Sequence, residues 1–326
     1  MNTSGRFFRV SIFGESHSPV MGVVIDGVPA GIAFCEEDMS ADIARRTPGL
    51  PGTTPRKEKD RPRIMSGIFG GRTTGAPVCI AFDNGDCRPE DYVAFRDIPR
   101  PGQADYSRNM KWNGAHDPRG GGQASGRMTL PVVAAGVLAK KVLDGISIRA
   151  SLVEVGGCCD PSAWEGMVAA AAAEGDSLGG IIECTVSNVP AGLGEPFFDS
   201  VESLISHAVF SIPGIRGIEF GDGFAAAAMK GSEHNDPFGP DGPVKNGAGG
   251  VNGGITNGAD IVFRVSVKPT SSISKPQKTY NFAEGKTDTL KVEGRHDVCF
   301  ALRTPVIVEA FTATALADLL LAARNI

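Results

Sequence analysis

At 326 residues, the chain is long enough for one large α/β or α+β unit or for two smaller domains. Its 41% apolar and 21% charged residues are typical of a globular protein and exclude a disordered or fibrous chain. The formal net charge of −5 argues against general nucleic-acid binding, so an anion site must be a local cluster of basic residues.

The cysteines and the N-terminal residues indicate the cellular compartment that we expect for the protein. Seven cysteines form an odd set without a C-x-x-C pair or a cysteine–histidine spacing suited to zinc, which predicts reduced thiols and no metal. The first residues, MNTSGRFFRVSIFG, lack the apolar region of a signal peptide, and no apolar run is expected to reach the length of a membrane span. We therefore expect a cytoplasmic protein that binds neither nucleic acid nor membrane.

The first half of the chain alternates short strands with long loops. Strands are predicted at residues 7–13, 21–26, 64–69 and 78–82. A short helix is predicted at residues 38–46, ending before Thr47-Pro48. The stretch 84–122 is expected to be irregular and ends in the glycine-rich segment RGGGQASGR.

Helices become more prominent in the second half. Apolar residues recur at helical spacing from 127 to 143, and Gly145 is a suitable helix end. Further helices are predicted around residues 167–173, 199–210 and 305–323, and strands at 146–155, 180–186 and 260–267. The segments GVVIDGVPAGI and GIIECTVSNVPAGL both run from a strand into VPAG, which indicates either two similar halves or a chance repeat of a common turn.

The segment GESHS follows a predicted strand and contains a histidine, His17. An imidazole has an ordinary pKa of about 6.5, so it can donate or accept a proton near neutral pH. Taken alone, a histidine in a glycine-bounded turn is more often a structural or solvated side chain.

Three further segments are suited to an anion. A loop after the first helix carries seven cations against Glu58 and Asp60: Arg45, Arg46, Arg56, Lys57, Lys59, Arg61 and Arg63. It is suited either to a ligand with several carboxylates or phosphates or to a solvated surface. RGGGQASGR opens a helix, where backbone N–H groups favour an anion, and KPTSS places a lysine beside three hydroxyls.

Together and in this order, the segments resemble the chorismate synthase family over essentially the whole chain. GESHSPVMGVVIDGVPAG is similar to the family's first signature, GGQASGRMTLPVVAAGVL to its second and GRHDVC to its third. The resemblance implies an α+β fold of one domain over residues 1–326, a layered β-α-β sandwich with helices between two antiparallel sheets and pseudo-symmetric halves. It also implies a homotetramer.

The activity implied by the resemblance is the anti-1,4-elimination of phosphate from 5-enolpyruvylshikimate 3-phosphate, which gives chorismate. Reduced FMN is required although there is no net oxidation, and NADPH is a possible reductant. The proteins of the family hold flavin and substrate together and neutralise the substrate's phosphate and carboxylates.

Residue roles are carried over by motif position. His17 is similar to the histidine that keeps the reduced flavin in its working protonation state, and Asp297 to the aspartate that exchanges a proton with the flavin. The residues implied to bind substrate are Ser16, Arg45, Arg46 and Arg127, with Arg45 and Arg46 also near the nicotinamide nucleotide in bifunctional members. The implied FMN contacts are Arg46, Gln123, Ala124, Ser125, Pro213, Gly214, Gly253, Lys268, Pro269, Thr270, Ser271, Ser272 and Arg295.

One catalytic position departs from the family pattern. Gln103 in RPGQAD replaces the histidine that protonates the leaving phosphate, and a glutamine can donate a hydrogen bond but cannot transfer a proton. His116 is a candidate substitute. The alternative function is a weakly active or non-catalytic homologue that binds flavin and substrate, whereas a hydrolase using Ser16 and His17 lacks a nucleophile-elbow pattern.

Overall fold

The structure, a computed structural model, describes residues 2–54, 60–85, 95–240 and 242–324. In chain order its strands are β1 (Thr3–Ser4), β2 (Arg9–Phe13), β3 (Val20–Asp26), β4 (Arg63–Ser66), β5 (Ile68–Phe69), β6 (Arg72–Thr73), β7 (Val78–Asp83), β8 (Ser147–Val155), β9 (Gly180–Ser187), β10 (Ile215–Phe220), β11 (Phe238–Gly239), β12 (Gly242–Pro243), β13 (Val251–Asn252), β14 (Ile255–Thr256), β15 (Ile261–Val267), β16 (Gln277–Asn281) and β17 (Lys286–Leu290). Its α-helices are α1 (Ser40–Arg46), α2 (Asp105–Lys111), α3 (Thr129–Val142), α4 (Pro161–Ala173), α5 (Val201–Phe210), α6 (Gly231–His234) and α7 (Pro305–Ala323).

Two antiparallel sheets enclose a layer of helices. The first sheet has the order β1-β2-β3-β7-β4, and the second has the order β10-β15-β9-β8. Helix α3 packs on β2, β3 and β7 of the first sheet, α7 packs on β8 and β9 of the second, and the two helices pack on each other. The predicted α+β fold with helices between two antiparallel sheets is confirmed.

The two central helices are buried on nearly all sides. Every residue of α3 from Thr129 to Ala139 is buried, as expected for a helix without a polar face. Helix α7 is long and apolar enough to span a membrane by length and composition, with a mean hydropathy of 1.8, so the expectation that no run reaches this length is wrong. However, 72% of that segment is buried inside the fold, where α7 acts as a core helix.

The two VPAG turns occupy matching places in the two sheets. Each follows a central strand, β3 in the first sheet and β9 in the second. The Thr73 hydroxyl donates to the Pro29 carbonyl at 2.6 Å, and the Thr256 hydroxyl donates to the Pro190 carbonyl at 2.7 Å. Each hydroxyl also accepts, at 2.9 Å, from the N–H three residues beyond that proline. The repeated hydrogen bonds favour two similar halves over a chance repeat.

Several predicted elements need correction. The stretch 84–122 is not irregular throughout, because it contains α2, whose polar sequence has no clear apolar period. The strand predicted at 64–69 is divided at Gly67, which takes a φ of 82°. Strand β10 and the hairpin β16–β17 were not predicted at all. Six cysteines are free thiols, and Cys87 lies outside the described residues.

Candidate active site

One cleft collects most of the residues that the sequence singles out. Segments that lie far apart in the chain line it, from position 16 to position 303. The predicted site residues that line it are Ser16, His17, Arg46, Gln103, Ala124, Ser125, Arg127, Pro213, Gly214, Lys268, Pro269, Thr270, Ser271, Ser272, Arg295 and Asp297. The GESHS turn, the glycine-rich loop, the KPTSS turn and the GRHD segment therefore meet at one place, while their individual roles stay predictions.

His17 lies in the turn between β2 and β3 and is 5% exposed. The Ser16 hydroxyl oxygen lies 3.0 Å from His17 Nδ1, within hydrogen-bond distance. Gly120 of the glycine-rich loop packs against both side chains with a φ of 61°. Because this backbone conformation disfavours a side chain, a glycine at position 120 is suited to bring the loop against the imidazole.

Asp60 joins two arginines that the resemblance places near the substrate. Its carboxylate lies 3.2 Å from Arg46 Nη1 and 2.6 Å from Arg127 Nη1, and all three side chains are buried. Arg46 also donates to the Thr129 hydroxyl and to the Gly126 carbonyl. Asp60 therefore holds the two guanidinium groups side by side at the wall of the cleft. Sequence reasoning counted Asp60 only as an acid within the basic loop.

The KPTSS turn is bonded to the turn that carries Gln103. Lys268 Nζ donates to the Gly102 carbonyl at 2.7 Å and also to the Ser271 hydroxyl. The Ser271 hydroxyl in turn donates to the Gly102 carbonyl at 2.8 Å. Burial and the nearby Arg216 lower the pKa of Lys268 from its ordinary value. The lysine is thus part of the cleft wall rather than a solvated surface cation.

Arg100 is a buried connection that sequence reasoning missed. Its guanidinium makes two hydrogen bonds of 2.7 Å to the carboxylate of Asp105. It also donates to the Ser272 hydroxyl and to the Gly120 carbonyl, each at 3.1 Å. One side chain therefore joins the RPGQAD, KPTSS and glycine-rich segments. The sequence feature that could have indicated this ion pair is the spacing of five residues between the arginine and the aspartate of RPGQAD.

Asp297 is held from two sides by residues that were also missed. The Thr54 N–H donates to Oδ1 at 3.0 Å. Arg303 donates from Nε to Oδ1 at 3.0 Å and from Nη2 to Oδ2 at 2.8 Å, while its guanidinium lies 4.9 Å from the centre of the Phe300 ring. The two-point ion pair fixes the orientation of the carboxylate. Arg303 follows Asp297 by six residues, in the turn before α7.

Three predicted residues do not line the cleft. Arg45 donates to both carboxylate oxygens of Glu309, at 2.8 and 2.7 Å, so its guanidinium is directed at α7. Gln123 is exposed, and Gly253 lies in the turn between β13 and β14. The geometry therefore gives no support to a role of these three residues in the cleft. The basic residues of the loop that lie outside the described residues are Arg56, Lys57 and Lys59.

His116 is the candidate substitute for the histidine that Gln103 replaces. It does not line the cleft. The centre of its ring lies 6.4 Å from that of Trp112. Burial, followed by the nearby charge of Arg108, lowers the pKa of His116 and favours the neutral imidazole. Its position gives no support to a direct role at the leaving phosphate.

The cleft combines tight turns with a concentration of basic side chains. The arginines and the lysine that line it are Arg46, Arg100, Arg127, Lys268, Arg295 and Arg303. Guanidinium and ammonium groups in a partly buried wall are suited to carboxylates and phosphates. Fold and cleft together indicate the class, an α+β protein whose cleft is suited to a small anionic molecule.

Comparison with known proteins specifies this class further. The chorismate synthase family profile matches residues 8–321. A chorismate synthase of Chitinophaga pinensis is 57% identical over 324 residues, which cover 98% of this chain and 97% of that protein. One of Desulfovibrio desulfuricans is 44% identical over 353 residues, with 98% and 97% covered. A crystal structure of chorismate synthase matches with a TM-score of 0.76 and 28% identity, covering 98% of this chain and 93% of that one.

The chain belongs to the chorismate synthase family. It is accordingly a lyase that forms chorismate in the shikimate pathway from a small-molecule substrate. Membership of the family also implies a reduced flavin cofactor.

Proposed function

We propose that the chain eliminates phosphate from 5-enolpyruvylshikimate 3-phosphate in an anti-1,4 reaction that requires reduced FMN. The observation that carries the proposal is the meeting of His17, Asp297 and Arg127 in one cleft. The reaction breaks the carbon–oxygen bond to phosphate and removes a ring hydrogen, so the site must neutralise anions and handle a proton. Arg127 can neutralise an anionic group, and His17 and Asp297 can handle a proton.

The donor set around Lys268 is suited to the phosphate of FMN. Lys268 supplies a cation, and Thr270, Ser271 and Ser272 supply hydroxyls at the same wall. Thr270 Oγ1 is buried and has no hydrogen-bond partner within the described part of the chain, which is unfavourable unless a ligand binds there. The residues proposed to hold FMN are Arg46, Ala124, Ser125, Pro213, Gly214, Lys268, Pro269, Thr270, Ser271, Ser272 and Arg295.

Reduced FMN, when bound, supplies electron density transiently and allows phosphate loss without net oxidation. In the proposed reaction, Arg127 binds an anionic group of the substrate and Ser16 lies beside it. His17 maintains the protonation state of the flavin, and Asp297 accepts or donates a proton at its carboxylate. Arg303 keeps that carboxylate oriented, because it donates to both of its oxygens.

Gln103 is proposed to stabilise the leaving phosphate by hydrogen bonding rather than by proton transfer. Its Oε1 accepts from the Ala104 N–H at 3.0 Å, which leaves the amide NH₂ as the group for a ligand. The alternative function, that of a weakly active or non-catalytic homologue, is less favoured, because His17 and Asp297 both line the cleft.

Three finer features are proposed from the family resemblance: a homotetramer, a cytoplasmic location and NADPH as a possible reductant. The nucleotide has the least structural support, because Arg45, which the resemblance places near it, donates to Glu309 and does not line the cleft. Flavin reduction by NADPH in the purified protein tests this reductant, and sedimentation tests the tetramer.

The activity is tested by an anaerobic assay with dithionite-reduced FMN and 5-enolpyruvylshikimate 3-phosphate, with chorismate and phosphate as the measured products. We expect stoichiometric release of both. We also expect FMN to bind far more tightly when the substrate is present, since the flavin would form one wall of the substrate pocket. Equal FMN affinity with and without substrate would argue against this stacked arrangement.

A further inference from the structure

Asn84 lies directly after β7, beside the turn that carries His17. Its Nδ2 lies within hydrogen-bond distance of three carbonyl oxygens of that turn, those of Glu15 (3.2 Å), Ser16 (3.2 Å) and Ser18 (2.9 Å). An amide nitrogen carries two hydrogens, so the three carbonyls share them. The turn is therefore closed around one side chain.

The other end of the same carboxamide contacts Arg127. Asn84 Oδ1 accepts from Arg127 Nε at 3.2 Å, and Arg127 Nη1 donates to Asp60 at 2.6 Å. The backbone N–H of Asn84 donates to the Pro19 carbonyl at 2.9 Å, which ties position 84 to the start of β3. The side chain thus connects the histidine turn with the arginine, and both of these line the cleft.

The two contacts require opposite hydrogen-bonding roles. The turn needs a donor because it presents three carbonyl oxygens, and the guanidinium needs an acceptor because it carries only N–H groups. A carboxamide supplies both from one planar group, whereas a carboxylate supplies only the acceptor. This asymmetry makes asparagine, rather than aspartate, the residue suited to position 84.

We propose that Asn84 is a positioning residue that sets the placement of His17 relative to Arg127. The inference rests on the proposed function, in which these two residues handle the flavin proton and bind the substrate. Asn84 does not itself line the cleft, so it acts through its neighbours. A displacement of about 1 Å in a reacting group can cost about 100-fold in rate, which is the scale of effect expected here.

Two substitutions test the two contacts. Asn84→Asp keeps an acceptor for Arg127 but loses the donors to the turn, so kcat should fall by at least about 10-fold, and KM should rise because the added carboxylate offsets the charge of Arg127. Asn84→Ala loses both contacts, so kcat should fall and KM should also rise about 5-fold or more. Rates are measured anaerobically with reduced FMN and expressed per FMN-binding site, which removes the contribution of unfolded protein.

A matched control is Asn246→Asp, since Asn246 also donates to a carbonyl and accepts from an N–H, but outside the cleft. It should lower the melting temperature and leave kcat per FMN-binding site within twofold. Asn84 variants with kcat and KM within twofold of the wild type would overturn the inference, even if they melt earlier. If the wild type itself releases no chorismate, the proposed function fails instead. If His17→Ala lowers kcat while the Asn84 variants keep the wild-type kcat and KM, only the positioning role is refuted.

Discussion

A side chain at position 120 and the imidazole of His17 would occupy the same space. A Cβ built on Gly120 would lie 2.7 Å from His17 Cε1 and 2.8 Å from its Nδ1. Real Cβ atoms do not approach other heavy atoms this closely, so either the ring or the loop must move. The glycine-rich loop therefore contributes to the site by bringing backbone directly against the histidine.

Gly120→Ala should consequently reduce turnover by at least about 10-fold, because it displaces His17 from its place in the cleft. Part of any stability loss will come from the positive φ, which costs about 1 kcal/mol for a residue with a side chain. Gly70→Ala isolates that part, since Gly70 has a φ of 58° but no atom within 4 Å of the added Cβ. Steady-state kinetics and melting temperatures of both variants provide the check. Equal turnover in the two variants would show that crowding of His17 has no effect on catalysis.

The carboxylate of Asp297 provides a second prediction. Asp297→Asn preserves the shape and an acceptor for the Thr54 N–H, but it removes the basicity and the ion pair with Arg303. Turnover should fall by at least about 100-fold with little loss of FMN affinity, if Asp297 exchanges the proton of the flavin. Asp144→Asn, at an exposed aspartate, serves as the control. The residue assignment fails if Asp297→Asn forms chorismate at the wild-type rate.

Short contiguous motifs were sufficient to find much of the cleft from sequence. His17, Lys268 and Asp297 each lie within a segment whose composition indicates anion binding or proton transfer, and all three line the cleft. The central helices were found because their apolar residues recur at helical spacing.

Several of the residues that sequence reasoning missed act through long-range contacts. Asn84 reaches back 69 residues to Glu15, and Arg100 reaches forward 172 residues to Ser272. No local period or spacing encodes such pairs, since they form only in the folded chain; Asn84, for example, reaches the turn because β7 pairs with β3. The contact of Arg45 with Glu309, which lies 264 residues away on α7, is of the same kind.

Position 103 yields a third prediction, which compares two histidines. Gln103 lines the cleft and His116 does not, so Gln103→His should change the rate and introduce a new ionisation into the pH profile of kcat. His116→Ala should leave the rate within about threefold, since a histidine that does not line the cleft is not in position to protonate the phosphate directly. A large loss in His116→Ala with an unchanged Gln103→His would instead assign the proton transfer to His116.

The last prediction concerns stability, at the charged cluster where α1, α3 and α7 meet. Glu309 accepts from Arg45, from Lys140 and from the Ala150 N–H. Burial alone would raise the pKa of this carboxyl, but the hydrogen bonds and charges of Arg45 and Lys140 outweigh it and lower the pKa below 4.5. A carboxyl with a lowered pKa in the folded state contributes stability above its unfolded pKa, and this contribution is lost as the pH falls through the folded value.

Glu309→Gln should therefore lower the free energy of unfolding by about 1–3 kcal/mol at pH 7, because two cations lose their shared carboxylate. The difference between wild type and variant should shrink as the pH falls below the ordinary glutamate value of 4.5, since the wild-type carboxyl then becomes protonated as well. Urea unfolding curves between pH 7 and pH 3 provide the measurement, with Glu165→Gln at an exposed position of α4 as the control. A difference that stays constant over this range would mean that the charge of Glu309 does not stabilise the junction of the three helices.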